Sequence, residues 1–408
     1  MKTMTQRCLL LRTTVVLCAL STSIVLLAGC GSGEADPIPE MPSSHTGPAV
    51  EFVGRLLEPG TLPFEAAVVF EPHSKTFLFD HDGGLERPPA SLVKMMVELV
   101  AMREIDAGRL ALTDSVRVSA SSSMMGGSQV FLKQGETFTV GQLLQSIAIA
   151  SANDACVALA EHVAGTPRAF VELMNREAED LGLEKTTYVN VHGLDDDDEI
   201  NYTTPYDIAK LASELIRYPE VREWSATAKA PFRNGEFILE NTNKLVGRFA
   251  GLDGLKTGFT SLAGYCLCAT AERDGLRLIS VVMGSGSKAE RVEATSELLG
   301  LAFASYQRVE ICKRGEVLDL EVEVPGAKVP TLRPVAARDL TVIVSRPDDR
   351  SLETRFEPRS ALKAPLQAWE PVGLLQVISR DEVLAEVPVL AGEPVAASGL
   401  VAWVRSRF

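Results

Sequence analysis

Positive charge is in short supply in this sequence. Against 54 aspartates and glutamates the 408 residues set only 40 lysines and arginines, a formal charge of -14 at neutral pH. An acidic surface repels phosphate backbones, so nucleic acid is not expected as a partner. Histidine is scarcer still, with 5 in the whole chain. Beyond residue 30 the cysteines are Cys156, Cys266, Cys268 and Cys312. Their spacing makes no disulfide framework, Cys266 and Cys268 fall on one face of one strand, and the histidines that would complete a zinc site with them are missing. Buried free thiols are the expectation. The acidic run from Asp195 to Glu199 lacks the spaced ligands and glycine of a calcium loop and reads as a solvated loop. No metal and no cofactor is therefore expected. Internal repeats are absent as well. What is present is ample aliphatic content at moderate charge, in a chain long enough for two domains with a sizeable core.

The first 30 residues carry a basic start (Lys2, Arg7, Arg12, no acid), an apolar stretch from Val15 to Leu27, and then Leu27-Ala28-Gly29-Cys30. The apolar stretch is short for a membrane helix, and a plain signal peptide is the other alternative. The pattern resembles a bacterial lipoprotein signal ending in a lipobox. That resemblance implies removal of residues 1–29 and a lipid on Cys30, which would hold the exported protein to a membrane, the outer one if there are two. Residues 30–63, polar and rich in proline and glycine, read as a tether between that anchor and the folded part.

Chemistry first announces itself at Pro88-Pro89-Ala90-Ser91-Leu92-Val93-Lys94. A hydroxyl and an amine three residues apart at the head of an apolar helix lie on one face, one turn apart, within mutual reach. The run from Met95 to Ile105 is apolar over most of its circumference, as in a buried helix, with Gly108 as its end. A buried amine sheds its proton more readily than a solvated one, and a neutral lysine beside a serine is a base beside a nucleophile. A lone Ser-x-x-Lys is also an ordinary helix start, so its meaning depends on the motifs further along the chain.

Short β-type runs at Ala66 to Phe70 and Thr76 to Phe79 form a hairpin ahead of Ser91. Helices are expected from about Thr139, from Thr166-Pro167 to Gly182, and from Thr204-Pro205 to about Arg217. The pattern then returns to strands, Gly264 to Ala271 and Leu276 to Met283 around the turn Arg273-Asp274-Gly275, before a helix from about Ala289 to Ala304. Strands at both ends with helices between them predict an α+β domain over residues 64–305: an antiparallel sheet, its edge strand late in the chain, covered by helices and carrying an all-helical subdomain. Residues 306–408 change to short β-rich runs broken by proline and glycine, including Val317 to Val324, Leu340 to Val344 and Val372 to Ile378. They predict a small β-sandwich domain.

Three motifs occur in order, Ser91-Leu92-Val93-Lys94, Ser151-Ala152-Asn153 and Lys256-Thr257-Gly258. With Pro89-Ala90 before the first, Asp154-Ala155-Cys156 after the second, Leu173-Met174-Asn175, Leu181-Gly182-Leu183 and His192-Gly193-Leu194 between, and Gly254-Leu255 and Ala263-Gly264-Tyr265 around the third, the chain resembles the penicillin-recognising serine enzymes. Within them it is similar to the low-molecular-mass penicillin-binding proteins that are D-alanyl-D-alanine carboxypeptidases. The resemblance implies a transpeptidase-like fold, peptidoglycan stem peptides ending in D-Ala-D-Ala as substrate, and β-lactams as covalent inhibitors. It implies Ser91 as nucleophile and Lys94 as base, Ser151 and Lys256 as a proton relay, Asn153 as a holder of the substrate amide, and the backbone N–H groups of Ser91 and Phe259 as an oxyanion hole. Gly258 is expected to leave room for a peptide against its strand. Several members of the family carry an arginine in the segment matching Thr203-Thr204-Pro205-Tyr206-Asp207. Tyr206 stands there instead, which leaves the substrate's terminal carboxylate to Thr257, Lys256 or Arg291. A serine β-lactamase of class A would need a Glu-x-x-Leu-Asn loop, and Glu172-Leu173-Met174-Asn175 is one residue short and sits inside a capped helix.

Overall fold

The computed structural model describes residues 62–195, 200–346 and 352–399. Cys30, most of the tether, all but the first residue of the acidic run and the chain's last nine residues lie outside them.

A five-stranded antiparallel sheet forms the frame. Its order is Thr76–His81, Ala66–Glu71, Leu276–Ser285, Gly264–Arg273 and Leu252–Thr260, each neighbour antiparallel to the next. The expected late edge strand is Leu252–Thr260. Side chains alternate between two cores, as strand geometry requires. Val68 and Phe70 enter the larger cluster with Cys266, Cys268, Ile279 and Val281, facing the helical block. Ala67 and Val69 enter the second with Leu267, Ala269, Leu278 and Val282, against Ala294, Leu298, Leu299 and Ala302 of the helix Lys288–Ser305. All four cysteines within the described residues are free and buried.

The helical block contains Val140–Ala150, Asn153–Ala164, Pro167–Asp180, Pro205–Leu215 and Pro219–Ala226. Its starts are set locally. The Thr166 and Thr204 hydroxyls accept from the N–H groups of Ala169 and Asp207, with proline at the next position in both, and Thr139 and Gln142 form a reciprocal box. Each such cap contributes about 1 kcal/mol. At the centre runs Lys94–Asp106, in which every residue from Lys94 to Met102 is buried.

Beyond Ser305, the strand Tyr306–Cys312 pairs with Leu340–Ser345. A four-stranded sheet runs in the order Pro334–Ala336, Glu382–Ala391, Pro371–Ser379, Glu353–Pro358. Val342, Val372, Leu375, Val377, Val387 and Val389 form a core of their own there. The expected strand over Val317 to Val324 is reduced to Val322–Glu323 plus a single bridge from Val317 to Val335. Thr341 and His73 share a hydrogen bond of 2.9 Å between this β region and the first hairpin of the main sheet.

Candidate active site

Ser91 does not stand on the long helix itself. It lies in a 3-10 turn, Ala90–Val93, that feeds into Lys94–Asp106. In a 3-10 turn residues three apart eclipse, so Lys94 sits directly over Ser91. Its Nζ donates to Ser91 Oγ at 2.8 Å and to the carbonyl oxygen of His192 at 2.5 Å. The second contact depends on Gly193, φ +79°, where an added Cβ would fall 2.1 Å from the carbonyl oxygen of Ala90. The Asn190 carboxamide fixes this loop by accepting from the N–H groups of His192 and Gly193 and from Asn201 Nδ2.

Ser151 and Asn153 come from the junction of two helices. Ser151 is the C-cap of Val140–Ala150 in the left-handed conformation, φ 62°, which turns the chain sharply enough for Asn153 to open the next helix. A serine held there is strained by about 1 kcal/mol or more, of the kind found where geometry serves a site. Asp154 accepts from the N–H groups of Val130 and Leu132 and so fastens the preceding loop. Asn153 Nδ2 donates to Gly126 at 2.7 Å, while its Oδ1 is buried with no hydrogen-bond partner among the described residues.

Lys256, Thr257 and Gly258 lie on the edge strand, whose backbone groups on the open side have no strand to pair with. Lys256 Nζ donates to the Thr257 carbonyl at 3.0 Å. Gly258 also meets a constraint inside the protein. A Cβ there would lie 2.9 Å from the carbonyl oxygen of Pro89 and 3.1 Å from the Ser91 nitrogen, so the glycine lets the strand pass against the nucleophile turn. Phe259 is 51% exposed and stacks on Tyr265 with ring centroids 4.2 Å apart.

Burial governs the electrostatics. Lys94 and Lys256 are both inside the protein, and the loss of hydration lowers Lys94 to about 8 and Lys256 to about 7; the Lys94 charge pushes Lys256 further the same way. Amines this far below their usual range can exchange protons with a serine at neutral pH.

Ser91, Ser151, Thr257, Gly258, Phe259 and Arg291 all line one open cleft of about 740 Å³. Lys94, Asn153 and Lys256 stand behind its wall. Arg291 is almost wholly buried, and its guanidinium donates to the carbonyl oxygens of Gly258 and Cys266. Tyr206 is elsewhere: it packs on Phe77 and donates to Asp80, so its segment covers the first hairpin and not the cleft. Cleft residues that no sequence motif marks include Ser128, Thr242, Lys244 and Lys288. Thr242 accepts a hydrogen bond of 2.8 Å from Thr257 Oγ1, and no spacing rule predicts that partnership.

A family model described as D-alanyl-D-alanine carboxypeptidase matches residues 57–287, and one described as the penicillin-binding protein 5 C-terminal domain matches residues 306–397. The chain is 34% identical to D-alanyl-D-alanine carboxypeptidase DacF of Bacillus subtilis over 345 residues, 84% of this chain and 88% of that one. It is 32% identical to D-alanyl-D-alanine carboxypeptidase DacA of Escherichia coli K12 over 334 residues, 80% and 82% of the two chains. Among solved structures, penicillin-binding protein 5 from Haemophilus influenzae superposes with a TM-score of 0.72 at 28% identity, over 83% of this chain and 99% of that one. A serine hydrogen-bonded to a buried amine, a second serine and a second buried amine around one cleft, and the match over both parts of the chain lead to one assignment. The chain belongs to the D-alanyl-D-alanine carboxypeptidase family of low-molecular-mass penicillin-binding proteins.

Proposed function

We propose that the protein is a serine-type D-alanyl-D-alanine carboxypeptidase that removes the terminal D-alanine from peptidoglycan stem peptides through an acyl-enzyme on Ser91, and that β-lactams trap the same serine. The observation that carries the reading is the 2.8 Å contact from Lys94 Nζ, wholly buried, to Ser91 Oγ. Ser91 Oγ attacks the carbonyl carbon of the penultimate D-alanine as its proton passes to neutral Lys94. The tetrahedral oxyanion is held by the N–H groups of Ser91 and Phe259, each such donor being worth about 3 kcal/mol. Ser151 and Lys256 relay the proton taken up by Lys94 to the leaving nitrogen as the C–N bond breaks, and water then hydrolyses the ester and returns a proton to Ser91 Oγ. The unpartnered Asn153 Oδ1 suits a substrate amide N–H. Thr257, backed by Thr242, takes the terminal carboxylate, and Arg291 contributes charge from the cleft wall.

Two other readings fare less well. A class A β-lactamase needs a carboxylate to drive deacylation, but Glu172 is exposed and does not line the cleft, and Asn175 is spent on the backbone of Tyr188. A catalytically silent wall-binding protein would not keep two amines buried at the cleft. An endopeptidase acting on cross-links would use the same machinery. Incubation with a muropeptide ending in D-Ala-D-Ala, with products read by mass, tests the proposal: loss of one alanine is expected, and an unchanged peptide would overturn it.

Lipid on Cys30, export and anchoring to a membrane surface complete the proposal, with the outer membrane favoured by Gly31 following the cysteine where an aspartate would favour retention.

A further inference from the structure

Beneath the two lysines lies a carboxyl that the acyl-transfer scheme does not use. Glu98 stands one turn after Lys94 on Lys94–Asp106, on the face that carries Lys94. It is 2% exposed, beside Lys94 at 0% and Lys256 at 1%, and its Oε1 has no hydrogen-bond partner among the described residues. A carboxylate this deep is sustained only by opposing cations. Those that act on it are Lys256, from the edge strand, and Lys94, from its own helix. Cys156, from the helix Asn153–Ala164, faces the same three groups as a thiol, with Asp154 acting on it, and Arg291 acts on Lys256. Burial raises Glu98 to about 8, into the range where the two amines exchange protons.

Charge counting shows what the trio favours. Two ammonium groups and one carboxylate leave a net positive charge sealed in the protein, whereas one neutral amine, one ammonium and one carboxylate leave none. The uncharged total is also the distribution that acyl transfer needs. We propose that Glu98 is a positioning residue for acyl transfer, its carboxylate holding one of the two buried lysines as an ammonium and so setting the pH at which the other goes neutral to receive the Ser91 proton. The proposal rests on the serine acyl-transfer reading above.

The test follows the rate constant for acylation by a fluorescent penicillin from about pH 5 to about pH 10 in the full chain and in Glu98→Gln, Glu98→Met and Glu98→Asp. A carboxylate nearby makes an amine hold its proton more tightly, so its removal lets the amine go neutral at lower pH. The rising limb should move toward acid by about one pH unit in Glu98→Gln and Glu98→Met, and stay with the wild type in Glu98→Asp. A Glu98→Gln limb that superimposes on the wild type would overturn the proposal. So would a Glu98→Asp limb displaced as far as that of Glu98→Gln, which would mark packing and not charge, or loss of cooperative melting in both uncharged variants, which would mark a folding role. Failure of the wild-type chain to label at all would instead sink the serine reading on which the proposal stands.

Discussion

The guanidinium of Arg291 spans two strands, donating to the carbonyl oxygen of Gly258 at 3.4 Å and to that of Cys266 at 3.3 Å. It thereby ties the helix Lys288–Ser305 to the strand that carries Lys256. One guanidinium nitrogen makes both contacts, and in Arg291→Lys the shorter side chain leaves the ammonium short of the two carbonyls. The variant should lose about 2 kcal/mol of stability, seen in denaturant midpoints, and acylate about tenfold more slowly. Wild-type stability in Arg291→Lys would show the bridge to be idle.

Ser91→Ala removes the only proposed nucleophile and almost no volume. Covalent penicillin labelling and D-alanine release should both fall by about a thousandfold or more, with the melting temperature unchanged. Residual labelling near the wild-type level would reassign the nucleophile.

Lys94 acts as a base only when neutral, and burial lowers it to about 8. Below that point the neutral fraction grows tenfold with each pH unit, so acylation should climb with rising pH and level off above about 8. Lys94→Ala should lose most of the rate and the limb along with it. A wild-type rate independent of pH across this window would mean another base.

Thr242→Val deletes the acceptor for Thr257 Oγ1 without changing side-chain shape much. The freed Thr257 hydroxyl should hold a substrate carboxylate less well, raising KM for a D-Ala-D-Ala peptide by about fivefold to tenfold while kcat changes little. A fall in kcat alone would point to a role in the chemical step.

Cys30→Ala should abolish lipid attachment and membrane partitioning, while a truncated chain beginning near Ala49 should label with penicillin as well as the full one, since the described core starts after the tether. A wild-type chain recovered unlipidated and freely soluble would remove the anchoring claim.

Much of this architecture was legible because local signals agree with it. Thr166-Pro167 and Thr204-Pro205 each start a helix where a hydroxyl and a ring make one cheap, and the alternation in Ala66–Glu71 follows from burial on both faces of the sheet. The three motifs indicated the cleft because each places chemistry at a chain turn or a strand edge. Tertiary approach was not legible. Gly258 answers to the nucleophile turn, Thr242 to Thr257 and Tyr206 to Phe77, and a one-dimensional pattern holds no record of such meetings. Glu98 carries no such signal, because an acid within an otherwise apolar run reads as a helix's wet face, and only the packing shows that the stretch from Lys94 to Met102 has none.

The cleft draws its groups from the 3-10 turn at Ala90–Val93, the left-handed junction at Ser151 and the late edge strand, segments that lie far apart along the chain. Neither lysine is an effective base in water, so a partly folded molecule that has formed its helices without closing the sheet carries the serine but not its reactivity. A covalently bound β-lactam is therefore a census of completed molecules. In variants altered far from the cleft, the amount of label at saturation counts how many chains have finished folding, and only the speed of its appearance speaks of chemistry.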